Sequence, residues 1–76
     1  MASAFIMVKA AAGRAEHLSE TIRDIEKVTE ASVVAGDFDL IVEAESEDVS
    51  DVIHSVATEI RSLDDVLDTK TYVCLA

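Results

Sequence analysis

This sequence predicts an α+β domain with one four-stranded antiparallel sheet and two helices, and three observations lead there. Apolar runs of strand length and stripes of helical period follow one another in the order β-α-β-β-α-β. The chain has 76 residues, half of them hydrophobic, which is enough for one core and too little for two. It contains no proline, and its two glycines, Gly13 and Gly36, fall between the apolar runs and not inside them.

The first run, "SAFIMVKA" (Ser3–Ala10), is rich in sheet-favouring residues and reads as a strand. "AAGRA" then leads into a helix over about Arg14–Lys27, whose Leu18, Ile22 and Ile25 recur at +4 and +3 to make one stripe, with Val28 near its end. "EASVVAG" is a second strand ended by Gly36, and "FDLIVEAE" a third, so the pair reads as a hairpin about a short Gly-Asp turn. Ser46 is placed to cap the next helix, with Glu47 and Asp48 in the first turn where the helix dipole favours acids. Val49, Val52, Ile53, Val56, Ile60 and Leu63 form its stripe, to about Ser62. "VLDTKTYVCLA" closes the chain as a fourth strand.

With right-handed crossovers this order gives a ferredoxin-like fold, strand order 4-1-3-2, with both helices on one face. The expectation is a single domain over residues 1–76, without linker, low-complexity segment or strong internal repeat. The uncovered sheet face raises a difficulty. If water covered it, the strands would alternate apolar and polar. Instead both parities are apolar: Phe5 and Met7 against Ala4, Ile6 and Val8, then Leu40 and Val42 against Ile41. The last strand adds Val73 and Leu75 against Tyr72 and Cys74. Such a face needs a cover, and packing sheet on sheet against a second copy supplies one.

Charge excludes some functions. Sixteen acidic residues against six basic ones leave a formal charge of −10 and no basic patch to neutralise phosphates, so direct nucleic-acid contact is not expected. Glu16, Glu20, Asp24, Glu26, Glu47, Asp48, Asp51 and Glu59 fall on the helices, where they read as a solvated outer face or, more sharply, as the surface of a halophilic protein. No apolar run is long enough to span a membrane. The lone Cys74 has no partner for an internal disulfide, and with no signal segment the reading is cytoplasmic.

Chemistry is sparse. His17 and His54 lie on different helices with no Cys or His at ligand spacing, so no metal and no cofactor are expected. Cys74 reads as inert strand packing. Two constellations remain. Gly36-Asp37-Phe38-Asp39 can offer bare backbone N–H groups to a carboxylate and an aspartate to an ammonium, the two ends of an amino acid; it can equally be a plain turn. Thr69 and Thr71 point the same way along a strand and can offer two hydroxyls, or simply reflect β-propensity.

"VVAGDFDLIVEAES" followed by "IRSLDDVLDTKTYVCL" resembles the effector-binding domain of the leucine-responsive/asparagine regulator (Lrp/AsnC) family. The matching positions are Gly36, Phe38, Asp39 and Leu40 of a Gly-x-aromatic-Asp-Leu hairpin, then Val66, Thr69, Thr71 and Leu75 of the closing strand. "GRAEHLSETIRDIEKV" is similar to the family's first helix. The chain departs from the pattern in having no room for a helix-turn-helix domain, in Phe38 where tyrosine is common, and in Asp65 where glycine is frequent. The resemblance implies a stand-alone ligand-binding module, a dimeric α+β barrel with its sheets face to face, and dimers gathered into a ring of octamer kind. It also implies an amino-acid effector at the matching positions Gly36, Phe38, Asp39, Leu40, Thr69 and Thr71, beside which Asp37 joins the site from the reading of the turn itself, together with a link to transcription regulation and no enzyme activity. Two alternatives stand beside it: an oligomerisation partner of full-length Lrp/AsnC regulators with an empty pocket, and a small dimeric monooxygenase, against which the lack of tryptophan counts.

Overall fold

A computed structural model of the protein describes residues 2–75. Strands β1 (Ala2–Ala10), β2 (Val28–Val33), β3 (Leu40–Ser46) and β4 (Val66–Val73) form one sheet in the order β2-β3-β1-β4, every neighbouring pair antiparallel. This is the expected ferredoxin-like order read from the other edge. Helix α1 (Ala15–Arg23) connects β1 to β2. The second connection begins as α2 (Val49–Asp51), widens into a π-helical segment (Val52–Ala57) and ends as α3 (Thr58–Arg61).

Parity along β1 sorts the chain into layers. Ala4, Ile6, Val8 and Ala10 face the helices, with Leu40, Val42 and Ala44 beside them on β3, and all are buried. From the helices come Leu18, Ile22, Val52, Val56 and Ile60. Each fully buried isoleucine or leucine here is worth about 1.5–3 kcal/mol. The opposite parity, Phe5, Met7 and Ile41, stays partly exposed on the face without helices.

The second stripe is narrower than the sequence pattern implies. Val52, Val56 and Ile60 are buried, whereas Val49 is 41% and Ile53 38% exposed. Four residues overshoot an α turn and undershoot the wider π turn, so mixing the two keeps residues spaced by four stacked on the sheet. Val49 and Ile53 are left outside.

Several boundaries move. Helix α1 stops at Arg23, not Lys27, and β2 stops at Val33, not Gly36. The third strand starts at Leu40, so the connection is a loop over 34–39 and not a short Gly-Asp turn. Ser46 ends β3; the helix cap is Asp48, whose carboxylate accepts the Ser50 N–H at 2.9 Å. That backbone bond, and then the Ser50 hydroxyl, hold the Asp48 carboxyl below the usual carboxylate range. The fourth strand ends at Val73, leaving Cys74 exposed and not packed; the expected strand residue Ala76 lies outside the described residues.

A short repeat, weak in sequence, becomes plain in the hydrogen bonds. "TIRDIEKV" (Thr21–Val28) and "EIRSLDDV" (Glu59–Val66) join helix to strand in the same way. Asp24 N–H donates to Thr21 O and Ser62 N–H to Glu59 O; Ile25 donates to Ile22 and Leu63 to Ile60; Val28 donates to Ile25 and Val66 to Leu63. One difference separates the joints. Lys27 has φ +79°, a left-handed conformation that glycine usually takes, and among the described residues no other non-glycine has positive φ. Asp65, its counterpart, needs no such freedom, which accounts for a turn without glycine there.

Candidate functional site

The loop over 34–39 is held by one residue. Asp39 donates its N–H to Val8 O (2.9 Å) and its carbonyl accepts the Val34 N–H (2.8 Å). Its carboxylate Oδ2 accepts the Ala10 N–H at 2.8 Å. The physical reason lies at the end of the sheet: β1 runs to Ala10 while β3 begins at Leu40, so the Ala10 amide has no strand partner and a side chain replaces it. Lys9 Nζ donates to Asp37 O at 3.3 Å across the same corner.

Beside this corner is a hollow of about 430 Å³, lined by Ala10–Gly13, by Ala15 and Glu16 at the start of α1, and by Val33 and Asp39. Its floor loop is a turn closed by Arg14 N–H to Ala11 O (3.0 Å), with Gly13 at φ +76°. A left-handed third residue is what a type II turn requires. Asp65 anchors this loop twice: its carbonyl accepts the Ala11 N–H at 2.8 Å, and its carboxylate pairs with Arg14 Nε at 2.9 Å. The hollow therefore has small apolar walls and two carboxylates, Glu16 and Asp39, with no cationic side chain in its lining. Electrostatically it suits an ammonium group.

A second hollow of about 270 Å³ lies by the other edge of the sheet, lined by Arg61, Val66, Leu67, Asp68 and Thr69. Arg61 gives it a guanidinium, the planar donor that suits a carboxylate. Among the described residues, no three His, Cys, Asp or Glu side chains gather as a metal site would require, and no helix is long and apolar enough to cross a membrane.

The model of the Lrp/AsnC ligand-binding domain family matches residues 3–76. This chain belongs to the Lrp/AsnC ligand-binding domain family. No curated protein matches this Lrp/AsnC domain in sequence. Among solved structures it is similar to the hypothetical protein PHS023 from Pyrococcus horikoshii, at 32% identity and a TM-score of 0.90, over 100% of this chain and 92% of that one. It also shares its fold with E. coli AsnC (18% identity, TM-score 0.86), covering 99% of this chain and 51% of AsnC. The fold recurs in the transcriptional regulator NMB0573 from Neisseria meningitidis, whose structure is a complex with L-Met (23% identity, TM-score 0.82), covering 99% of this chain and 50% of that one.

Within the Lrp/AsnC domain the seven residues singled out by sequence occupy different places. Asp39 lines the first hollow and Thr69 the second. Gly36 and Asp37 are exposed and Phe38 half-buried, and none of the three lines either hollow. Leu40 is fully buried in the core, so its side chain faces the helices and not solvent. Thr69 and Leu40 both pair with Val8, one on each side of β1, which puts them about 10 Å apart by two strand spacings. Thr71 is half-buried opposite Ile6. Gly36 is corrected in one respect: its φ is not positive, and a Cβ there would meet nothing within 4 Å, so glycine's special freedom is used at Gly13 instead. Glu16, Arg61 and Asp65 were missed, because their value comes from contacts across the fold and no local spacing marks them.

Proposed function

We infer that this domain is a regulatory module that binds a small effector of the amino-acid class and acts through assembly, as part of transcription regulation and without enzyme activity. The observation that carries the reading is Asp39, a carboxylate fixed at the sheet's end and opening into a hollow with a second acid, Glu16, in a family of ligand-binding domains. Asp39 holds the ammonium, with Glu16 as the second acid of the same hollow. Arg61 and Thr69 suit the carboxylate end. Because an amino acid's two ends are joined through one carbon, a single ligand cannot reach both hollows of one copy. Both ends are met where copies adjoin, which fits dimers packed sheet on sheet and gathered into a ring in the cytoplasm. The complex of NMB0573 with L-Met supports an amino acid as the class.

A second reading has its own observation. The Asp39 carboxylate already accepts the Ala10 N–H, so the residue has a structural duty without any ligand. On that reading the domain only mixes with full-length Lrp/AsnC regulators to tune their assembly. Thermal-shift and calorimetric titration of the purified, mass-checked oligomer with the twenty amino acids separates the two. Saturable binding of one or a few amino acids is expected, and no response to any of them overturns the effector reading.

A further inference from the structure

The hollow that holds Asp39 does not end at the start of α1. A further hollow, also about 430 Å³, is lined by Glu16, Ser19, Glu20, Arg23 and Val33. Glu16 and Val33 line both, so the two adjoin and make one trough from Asp39 along α1 to Arg23. Its lining is alanine and valine near Asp39 and turns polar at the far end. Ser19 there is buried, and its hydroxyl donates to Glu16 O at 2.7 Å. Glu20 and Arg23 are three apart on the helix, a spacing at which an acid and a base pair. They do not pair: among the described residues the ion pairs are Arg14–Asp65 and Lys27–Asp51. Arg23 turns instead toward β2, where its Nη2 donates to Ala31 O at 2.8 Å. That bond uses one of the five guanidinium donors and leaves the others for a ligand. The second helix-to-strand joint shows that the fold does not require this couple. Arg61 stands there in the place of Arg23, but Thr58 stands in the place of Glu20.

We propose that this trough takes the effector's side chain, and that the side chain ends in a carboxamide, as glutamine's does. This rests on the effector reading above, with the ammonium at Asp39, and adds the class of side chain. A carboxamide carries an acceptor oxygen and an NH2 donor on one carbon. Arg23 donates to the oxygen, and Glu20 accepts from the NH2. A side-chain carboxylate suits Arg23 but meets Glu20 as a like charge, and a side-chain ammonium suits Glu20 but meets Arg23. An apolar side chain leaves both charged groups facing it without a partner. Each wrong class thus meets a repulsive or unpaired group, which is how a site rejects a competitor as well as accepting its ligand. Length selects too. Glu20 is about 6 Å along the helix axis from Glu16, a little over one turn. That span favours glutamine over the shorter asparagine.

The test is calorimetric titration of the assembled protein with glutamine, glutamate, lysine and methionine, after the screen of all twenty amino acids. Glutamine is expected to bind most tightly, with glutamate weaker by roughly tenfold or more. The Glu20 side chain is exposed and makes no hydrogen bond or ion pair among the described residues, so its variants keep the fold, as circular dichroism checks. Glu20→Arg replaces the acceptor by a second donor and reverses the order, so that glutamate binds more tightly than glutamine. Glu20→Gln removes the like charge and brings glutamate to within a few-fold of glutamine. A merely structural role for Glu20 moves neither ratio. No binding of any amino acid overturns the effector reading itself. Binding that prefers another class of side chain overturns the carboxamide alone, as does a glutamine-to-glutamate ratio unchanged in both variants.

Discussion

The Asp39 carboxylate accepts the Ala10 backbone N–H at 2.8 Å, tying the loop before β3 to the last residue of β1. The bond gives Asp39 a duty in folding besides any duty toward a ligand, and two substitutions separate them. Asp39→Ala leaves the Ala10 amide without an acceptor and lowers stability by about 1–3 kcal/mol. Asp39→Asn keeps an oxygen for that amide and loses only the charge, so its urea midpoint shifts less. Amino-acid affinity, measured by calorimetry, falls about tenfold or more in Asp39→Asn, since a charge-assisted bond is worth roughly 1.5–3 kcal/mol. Unchanged affinity in a correctly assembled Asp39→Asn protein moves the ammonium site elsewhere.

Neighbouring residues of β1 give opposite outcomes. Ile6 is fully buried under the helices, and Ile6→Asp places an unpaired charge in the core. The expected result is an unfolded chain by circular dichroism. Met7 is on the open face, so Met7→Asp leaves the fold intact and dissociates the assembly in sedimentation experiments. A Met7→Asp protein of undiminished mass argues against packing on that face.

The two glycines behave differently. Gly13→Ala forces an alanine into φ +76° and destabilises by about 1–2 kcal/mol, even though its Cβ meets no atom within 4 Å. Gly36→Ala has neither obstacle and is neutral or stabilising by up to about 1 kcal/mol. Lys27→Gly relieves the left-handed strain at φ +79° while giving up the 3.5 Å contact with Asp51, a surface pair of small value. Its melting temperature rises. A drop would show that Lys27 contributes more through its side chain than its backbone loses.

Salt should favour this protein. With a formal charge of −10 on each copy, assembly concentrates like charge, and the screening length shrinks from about 30 Å at 0.01 M to about 3 Å at 1 M. Melting temperature and oligomer mass rise together across that range. A melting temperature indifferent to salt counts against a surface adapted to it.

Much of the fold could be read from periodicity. Leu18, Ile22 and Ile25 announced α1, and the double parity of Phe5 against Ile6 announced a sheet with two apolar sides. The acids assigned to the helices' outer faces are exposed. Features that depend on a contact between distant residues left no such trace. Ala10 and Asp39 are 29 apart and Arg14 and Asp65 are 51 apart, and nothing in either neighbourhood marks the other. Ser46 and Asp48 are equally good capping residues on paper; geometry alone chose Asp48, because β3 still needed Ser46. The repeated joint hid behind substitutions that keep the chemistry, Ile25 for Leu63 and Glu26 for Asp64.

The strand order also determines when this molecule can fold. β1 is central, hydrogen-bonded to β3 on one side and β4 on the other, and it is translated before either. Its second partner, β4, is the last strand of the sheet to be synthesised. Neither half of the chain can close its own sheet, although each carries the same helix-to-strand joint, so few stabilising contacts are local and the search for non-local ones is slow. On the ribosome β1 therefore waits, apolar on both faces, until β4 has emerged. For that interval it is the segment most open to capture by a chaperone or by a neighbouring nascent chain.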